Sequence, residues 1–320
     1  MSVLRRLHRY LSLLCLAAIL VAFYLAVGRF LDGARTLESL EQLDAWWIVG
    51  ATGCAIVMYL LKAVRWWWYL GCIGQPLPWN MATVIYLAGQ WFAVARSADL
   101  SRIVLAVRYG VSLGMVVAVG AAASLTDFTG VVALGLVAGA HHPAFLAPLA
   151  VVGAVAALLV WGLGGNGPLG RLVERELPAH YAEPVRRGRG LLRGRPLGVG
   201  VAFGVADALG AAAIMWCGAR ALGVDTVGLP LAALVYSLAQ VAGVLSMMPL
   251  GLGALDASGI FLLVAVGVDP NLATATLVVY RLVTLGMNMV LGAVGLAGLR
   301  RLPLPPPPAQ ESAQGRPAEA

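Results

Sequence analysis

Apolar runs close to the length of a bilayer crossing recur along the chain, separated by short polar or basic stretches. Residues 11–30, 46–61, 113–138, 144–163, 197–222 and 273–299 each read as one apolar helix. At about 1.5 Å per residue, such runs approach or exceed the roughly 30 Å hydrocarbon core of a membrane. Two more apolar stretches, 79–111 and 229–268, do not read as single helices. The first holds Arg96, Asp99, Arg102 and Arg108, and the second is interrupted by Pro249, Gly251 and Gly253 before Asp256. Proline and glycine break a helical ladder rather than continue it, so the second stretch is expected to be interrupted, and keeping every basic cluster on one face makes each stretch a hairpin that enters and leaves the membrane on the same side. The predicted fold class is an all-α polytopic transmembrane helix bundle, with about six full spans and two opposed re-entrant or broken helical hairpins.

Composition changes the picture only by strengthening it. Apolar residues make up 60% of the 320, charged residues 12%, and mean hydropathy is +0.86. No water-exposed surface tolerates that balance, so lipid is the solvent for most of the protein. Residues 1–302 are expected to form one integral membrane domain. The run Pro305–Pro308 and the polar residues after it, within 303–320, are expected to be a disordered tail. The first apolar run begins after Arg5, Arg6 and Arg9, which resembles a signal peptide. Its length and the lack of a small-x-small cleavage site favour a retained first span.

Charge decides orientation. The net charge is +7, and Lys62 is the one lysine among 22 basic residues. The arginines flank apolar runs instead of forming a basic face, so they argue for membrane topology and against nucleic-acid binding. With both termini cytoplasmic and both hairpins re-entrant, Lys62, Arg65, Arg300, Arg301 and the connector arginines Arg171, Arg175, Arg186, Arg187, Arg189, Arg193 and Arg195 all fall on the inner face. Crossing each hairpin once instead moves the connector outside.

The residues with chemical potential are charges at membrane depth, each costly unless paired or hydrated. These are Arg65, Arg96, Asp99, Arg102, Asp127, Asp207, Asp256 and Arg281. Asp256 follows the Pro/Gly break and can meet Arg281. One reading is that acids and arginines neutralise one another and fix helix register. The other is a hydrated polar cavity for a charged lipid headgroup, with Arg96, Arg102 and Arg281 forking onto a phosphate and the freed amides of Gly251 and Gly253 adding donors. Tyr86 and Gln90 in the first hairpin and Tyr236 and Gln240 in the second share one offset. With opposite orientation, that suggests an inverted repeat around a midplane site. Trp66, Trp67 and Trp68 read as an interfacial aromatic belt, or alternatively as a stacking surface for a headgroup. Cys15, Cys54, Cys72 and Cys217 stand singly, and His141 and His142 lack further ligands nearby, so no metal or other cofactor is expected. No nucleophile elbow, zinc-protease or P-loop motif occurs.

The order of motifs resembles the lysylphosphatidylglycerol synthase transmembrane region family, also called flippase-like domain proteins. The resemblance rests on Lys62-x-x-Arg65-Trp66, Gly89-Gln90 leading to Arg96-x-x-Asp99-x-x-Arg102, and Arg108-Tyr109-Gly110-Val111-Ser112. It continues in Pro249-x-Gly251-x-Gly253-x-x-Asp256, Gly267-Val268 and Tyr280-Arg281-Leu282. The family's usual Pro-Gly-Arg-x-Gly-Glu element reads Val94-Ala95-Arg96-Ser97-Ala98-Asp99 here, keeping only the charges. The resemblance implies a polytopic protein of the plasma (inner) membrane that moves lipids between leaflets or serves lipid and envelope glycolipid biosynthesis. The aminoacyl-transferase domain of the best-known members finds no counterpart in these residues, so aminoacylation is not implied.

The leading expectation is therefore a flippase-like protein handling an anionic or isoprenoid-type envelope lipid in a polar cavity between the hairpins. Its substrate-binding candidates are Arg65, Gln90, Arg96, Asp99, Arg102, Asp127, Gln240, Gly251, Gly253, Asp256, Tyr280 and Arg281. The alternatives are a membrane-embedded glycosyl or headgroup transferase with Asp99 or Asp256 as base, and a non-catalytic accessory protein. The implied partners are a membrane lipid and enzymes of lipid biosynthesis.

Overall fold

The structure is a computed structural model that describes residues 43–92, 98–164, 167–176, 179–246 and 253–302. Among these residues every regular element is helical: α1 Ala45–Cys72, α2 Trp79–Gln90, α3 Ala98–Arg108, α4 Leu113–Ala138, a 3-10 turn Gly139–His141, and α5 Pro143–Leu163. There follow α6 Pro168–Glu176, α7 Ala179–Leu191, α8 Gly194–Ala221, α9 Leu229–Leu245, α10 Ala254–Ala265 and α11 Pro270–Leu299. The five long helices α1, α4, α5, α8 and α11 are long and apolar enough to cross a membrane. The chain is a multi-pass helical membrane protein. The expected first span at 11–30, the residues Arg96, Pro249 and Gly251, and the tail 303–320 lie outside the described residues.

Both stretches expected to be broken are broken. At about 1.5 Å per residue, α2, α3 and α10 are roughly 16–18 Å long and α9 roughly 26 Å, each short of a 30 Å core. In each stretch the two helices pack against each other, α2 on α3 and α9 on α10. The largest boundary difference is in α1, which runs 28 residues through Lys62 and Arg65 to Cys72. Those charges end the hydropathic run but not the helix, because lysine and arginine are good helix formers. The connector 164–196 also differs from a plain loop, since it carries α6 and α7.

The chain divides into two compact units. One unit takes the described residues of Met1–Met58, Phe128–Ala154 and Gly204–Gly286, and so contains the α9–α10 hairpin. A Cβ added to Gly130 would lie 2.2 Å from the backbone carbon of Gly204, so α4 and α8 touch backbone to backbone through small residues. Trp47 meets Trp216 edge to face at 5.2 Å.

The other unit takes Tyr59–Asp127, Val155–Phe203 and Met287–Ala320, and contains the α2–α3 hairpin. Its core joins Tyr69 and Leu70 of α1, and Ile73 just past it, with Ile85 and Leu87 of α2, Ala106 of α3, Val116 and Val119 of α4, and Leu191 of α7. The two ends of this hairpin lie together, with the Ser112 N–H donating to Gln75 Oε1 at 3.4 Å. Two connector arginines close helix ends on the same unit. Arg187 Nη1 donates to the Ile73 carbonyl just past α1 at 2.8 Å, and Arg189 Nε donates to the last carbonyl of α5, at Leu163, at 3.1 Å. Cations at C-terminal carbonyls satisfy orphan acceptors and complement the helix dipole. The ends of α1 and α5 therefore share the basic connector.

Candidate functional site

In the unit holding α9 and α10, the polar centre is a charged pair beside the second break. Gly253, at φ +88°, leads into α10, which makes Asp256 the third residue of that helix. A carboxylate in a first turn is favoured by the exposed amides and the helix dipole. The Gly253 N–H reaches Asp256 Oδ2 at 3.4 Å. From α11, Arg281 Nε donates to Asp256 Oδ1 at 2.7 Å and Nη2 donates to Oδ2 at 3.0 Å. The Asp256 and Arg281 side chains are 10% and 19% exposed, so this two-pronged bond is made in little water. Tyr280, next to Arg281, has its ring 6.2 Å from that of Tyr236 on α9. Gln240 stands one turn beyond Tyr236, half-buried.

The unit holding α2 and α3 has a second charged pair and a stack. Arg65 on α1 donates to both oxygens of Asp127 on α4, with Nη2 to Oδ2 at 2.7 Å. Here the arginine is buried and Asp127 keeps 29% of its side chain exposed. One turn along α1, the Tyr69 hydroxyl lies 3.3 Å from Thr126 Oγ1. Thr126 donates to the Ala122 carbonyl at 3.0 Å, which leaves Tyr69 as the donor to Thr126. Gly200 makes room for that hydroxyl, because a Cβ there would lie 1.8 Å from it. Arg102 of α3 sets its guanidinium 4.2 Å from the Tyr86 ring centre, and Tyr86 is 6.2 Å from Trp66. Cation on ring on ring is a stable arrangement in a poorly hydrated site. Gln90, the last residue of α2, is 3% exposed.

The twelve candidates thus sort by unit. Arg65, Gln90, Asp99, Arg102 and Asp127 belong to one, and Gln240, Gly253, Asp256, Tyr280 and Arg281 belong to the other. Asp99 stands in the first turn of α3. Arg96 and Gly251 lie outside the described residues. The pairing of Asp256 with Arg281 is the contact the sequence suggested, and it occupies the fork that the cavity reading gave to a phosphate.

The tryptophan run needs correction. Successive helical residues turn by about 100°, so the three side chains part company. Trp66 is 5% exposed within the core. Trp67 faces outward, donates its indole N–H to the Leu77 carbonyl at 2.9 Å and meets Trp79 at 5.5 Å. The belt reading suits Trp67, not Trp66. Sequence reasoning passed over Tyr69 and Thr126; the signal available was Tyr69 four residues after Arg65, on one helical face beside it, with Thr126 next to Asp127. Among the described residues no group of His, Cys, Asp and Glu is arranged to hold a metal.

A family model described as Lysylphosphatidylglycerol synthase TM region matches residues 12–292. That match includes both charged pairs and both hairpins. No curated protein matches the chain.

Proposed function

Because the chain belongs to the lysylphosphatidylglycerol synthase TM region family, a membrane protein of the flippase-like kind, we propose that it moves or hands over an anionic or isoprenoid-type lipid at its intramembrane charges. The observation that carries this reading is the Asp256–Arg281 fork at the break in the second hairpin. Burying two ions costs several kcal/mol each, and well-packed apolar side chains hold helices together at least as well. A guanidinium held by an exchangeable carboxylate has a further use. A lipid phosphate, with the same fork geometry, replaces Asp256 on Arg281, and Asp256 takes the arginine back when the headgroup leaves. The Arg65–Asp127 pair, open on the aspartate side, supports the same exchange in the other unit.

We further infer that the face carrying the basic connector is cytoplasmic, in a plasma (inner) membrane, by the basic-inside rule. The test is transbilayer movement of fluorescent phosphatidylglycerol in liposomes containing the purified chain. Movement above that of protein-free liposomes, lost in Arg281→Ala, supports the proposal. Equal rates with and without protein defeat it.

A further inference from the structure

We propose that a corner formed by α5, α6 and the end of α7 is a separate binding site for one anionic phospholipid. A cavity of about 410 Å³ lies there, lined by Trp161, Gly167, Pro168, Arg171 and Arg193. Three observations define its occupant. First, the corner is tightly built, not a loose surface. A Cβ on Gly167 would lie 2.3 Å from the carbonyl oxygens of Trp161 and Gly162, one on Gly164 would lie 2.7 Å from the Leu192 carbonyl oxygen, and one on Gly162 would lie 2.8 Å from Leu169. Arg189 uses its Nε on the Leu163 carbonyl, so the last carbonyl of α5 is satisfied by protein and is not aimed at a ligand.

Second, the charge at the cavity is positive and uncommitted. Arg171 and Arg193 are both exposed and make no ion pair with a described residue. Two guanidinium forks are the chemistry that takes a phosphodiester. Third, the cavity sits at the end of a lipid-facing strip. Val155, Leu158 and Leu159 share one face of α5 and are exposed, followed by Trp161 at 66%. A tryptophan ending an exposed apolar strip marks the boundary between acyl chains and headgroups, where basic pockets collect anionic lipids. A free anion uses only the arginines. A phospholipid uses the arginines, the indole and the strip together. The site lies outside both hairpins and both charged pairs, so it stands whether or not the protein moves lipid.

The experiment is spin-label electron resonance on the full chain in phosphatidylcholine bilayers doped with spin-labelled phosphatidylglycerol or spin-labelled phosphatidylcholine. The wild type is expected to immobilise phosphatidylglycerol in preference. Arg171→Gln with Arg193→Gln is expected to cut that preference roughly fivefold, while Arg300→Gln with Arg301→Gln, an equal loss of charge elsewhere, leaves most of it. Arg171→Lys with Arg193→Lys is expected to keep part of it. An unchanged preference in the first double variant overturns the proposal, as does an equal loss in the Arg300/Arg301 control. Displacement of the lipid by millimolar inorganic phosphate reassigns the site to a free anion and also overturns it. Transbilayer movement by the Arg171/Arg193 variant is expected to match wild type, which separates this result from any failure of the hairpin account.

Discussion

The two broken hairpins solve one problem with different parts. Each begins with a helix carrying Tyr and Gln four residues apart, and each has an acidic residue in the first turn of its second helix, Asp99 in α3 and Asp256 in α10. Each second helix also stops on a glycine of positive φ, Gly110 at +88° and Gly267 at +93°. There the following amide returns to a carbonyl five residues back, Val111 to Ala106 at 3.1 Å and Val268 to Leu263 at 3.0 Å. That closure needs a left-handed residue, which glycine supplies without strain. The partners differ. In the second hairpin the acid is neutralised by Arg281 from a long helix. In the first, the buried arginine of the long helix, Arg65, takes its carboxylate from α4, and the hairpin's own Arg102 rests on Tyr86. Both hairpins carry an acid at the start of the second helix, and they differ in what pairs with the nearby charge.

If that comparison is right, removing one partner costs most where burial of both is deepest. Asp256→Ala leaves Arg281 without its carboxylate in a site of 10–19% exposure, and is expected to cost about 3–5 kcal/mol, read as loss of folded protein in detergent thermal-stability measurements. Next is the packing of the first hairpin. A Cβ at Gly295 of α11 would lie 2.2 Å from the Ala88 backbone nitrogen, whereas nothing lies within 4 Å of one at Gly286. Gly295→Leu is expected to cost about 3 kcal/mol and Gly286→Leu far less by the same assay. Asp127→Ala should fall below Asp256→Ala, at about 1–3 kcal/mol, because Asp127 is 29% exposed and water can stand in for it. Smallest is Arg102→Gln, about 0.5–1 kcal/mol from the lost cation-on-ring contact with Tyr86. Equal costs for Asp127→Ala and Asp256→Ala erase the asymmetry between the two pairs.

Much of this architecture was legible because lipid imposes a simple code. Apolar length marks a span, and Pro249, Gly251 and Gly253 before Asp256 mark a break. Leu113–Ala138 was bounded by the sequence to the residue. Hydropathy misread α1, because Lys62 and Arg65 look like an end when Arg65 is in fact paired inside. It also missed the split of Trp66 from Trp67, which depends on the rotation of α1 against α2, and the helices of the connector, whose glycines and arginines look like loop. The partner of Arg65 was not legible at all. Asp127 lies 62 residues away, and only packing brings the two together.

The central claim is that the Asp256–Arg281 pair exists to be exchanged with a lipid headgroup and not merely to join α10 to α11. The most direct measurement replaces both charges at once, Asp256→Leu with Arg281→Met, a change expected to leave stability close to wild type because no lone ion stays buried. Transbilayer movement of phosphatidylglycerol is then compared in liposomes of matched protein content. The account predicts a folded protein whose rate falls to that of protein-free liposomes. A folded variant that moves the lipid as fast as wild type contradicts it.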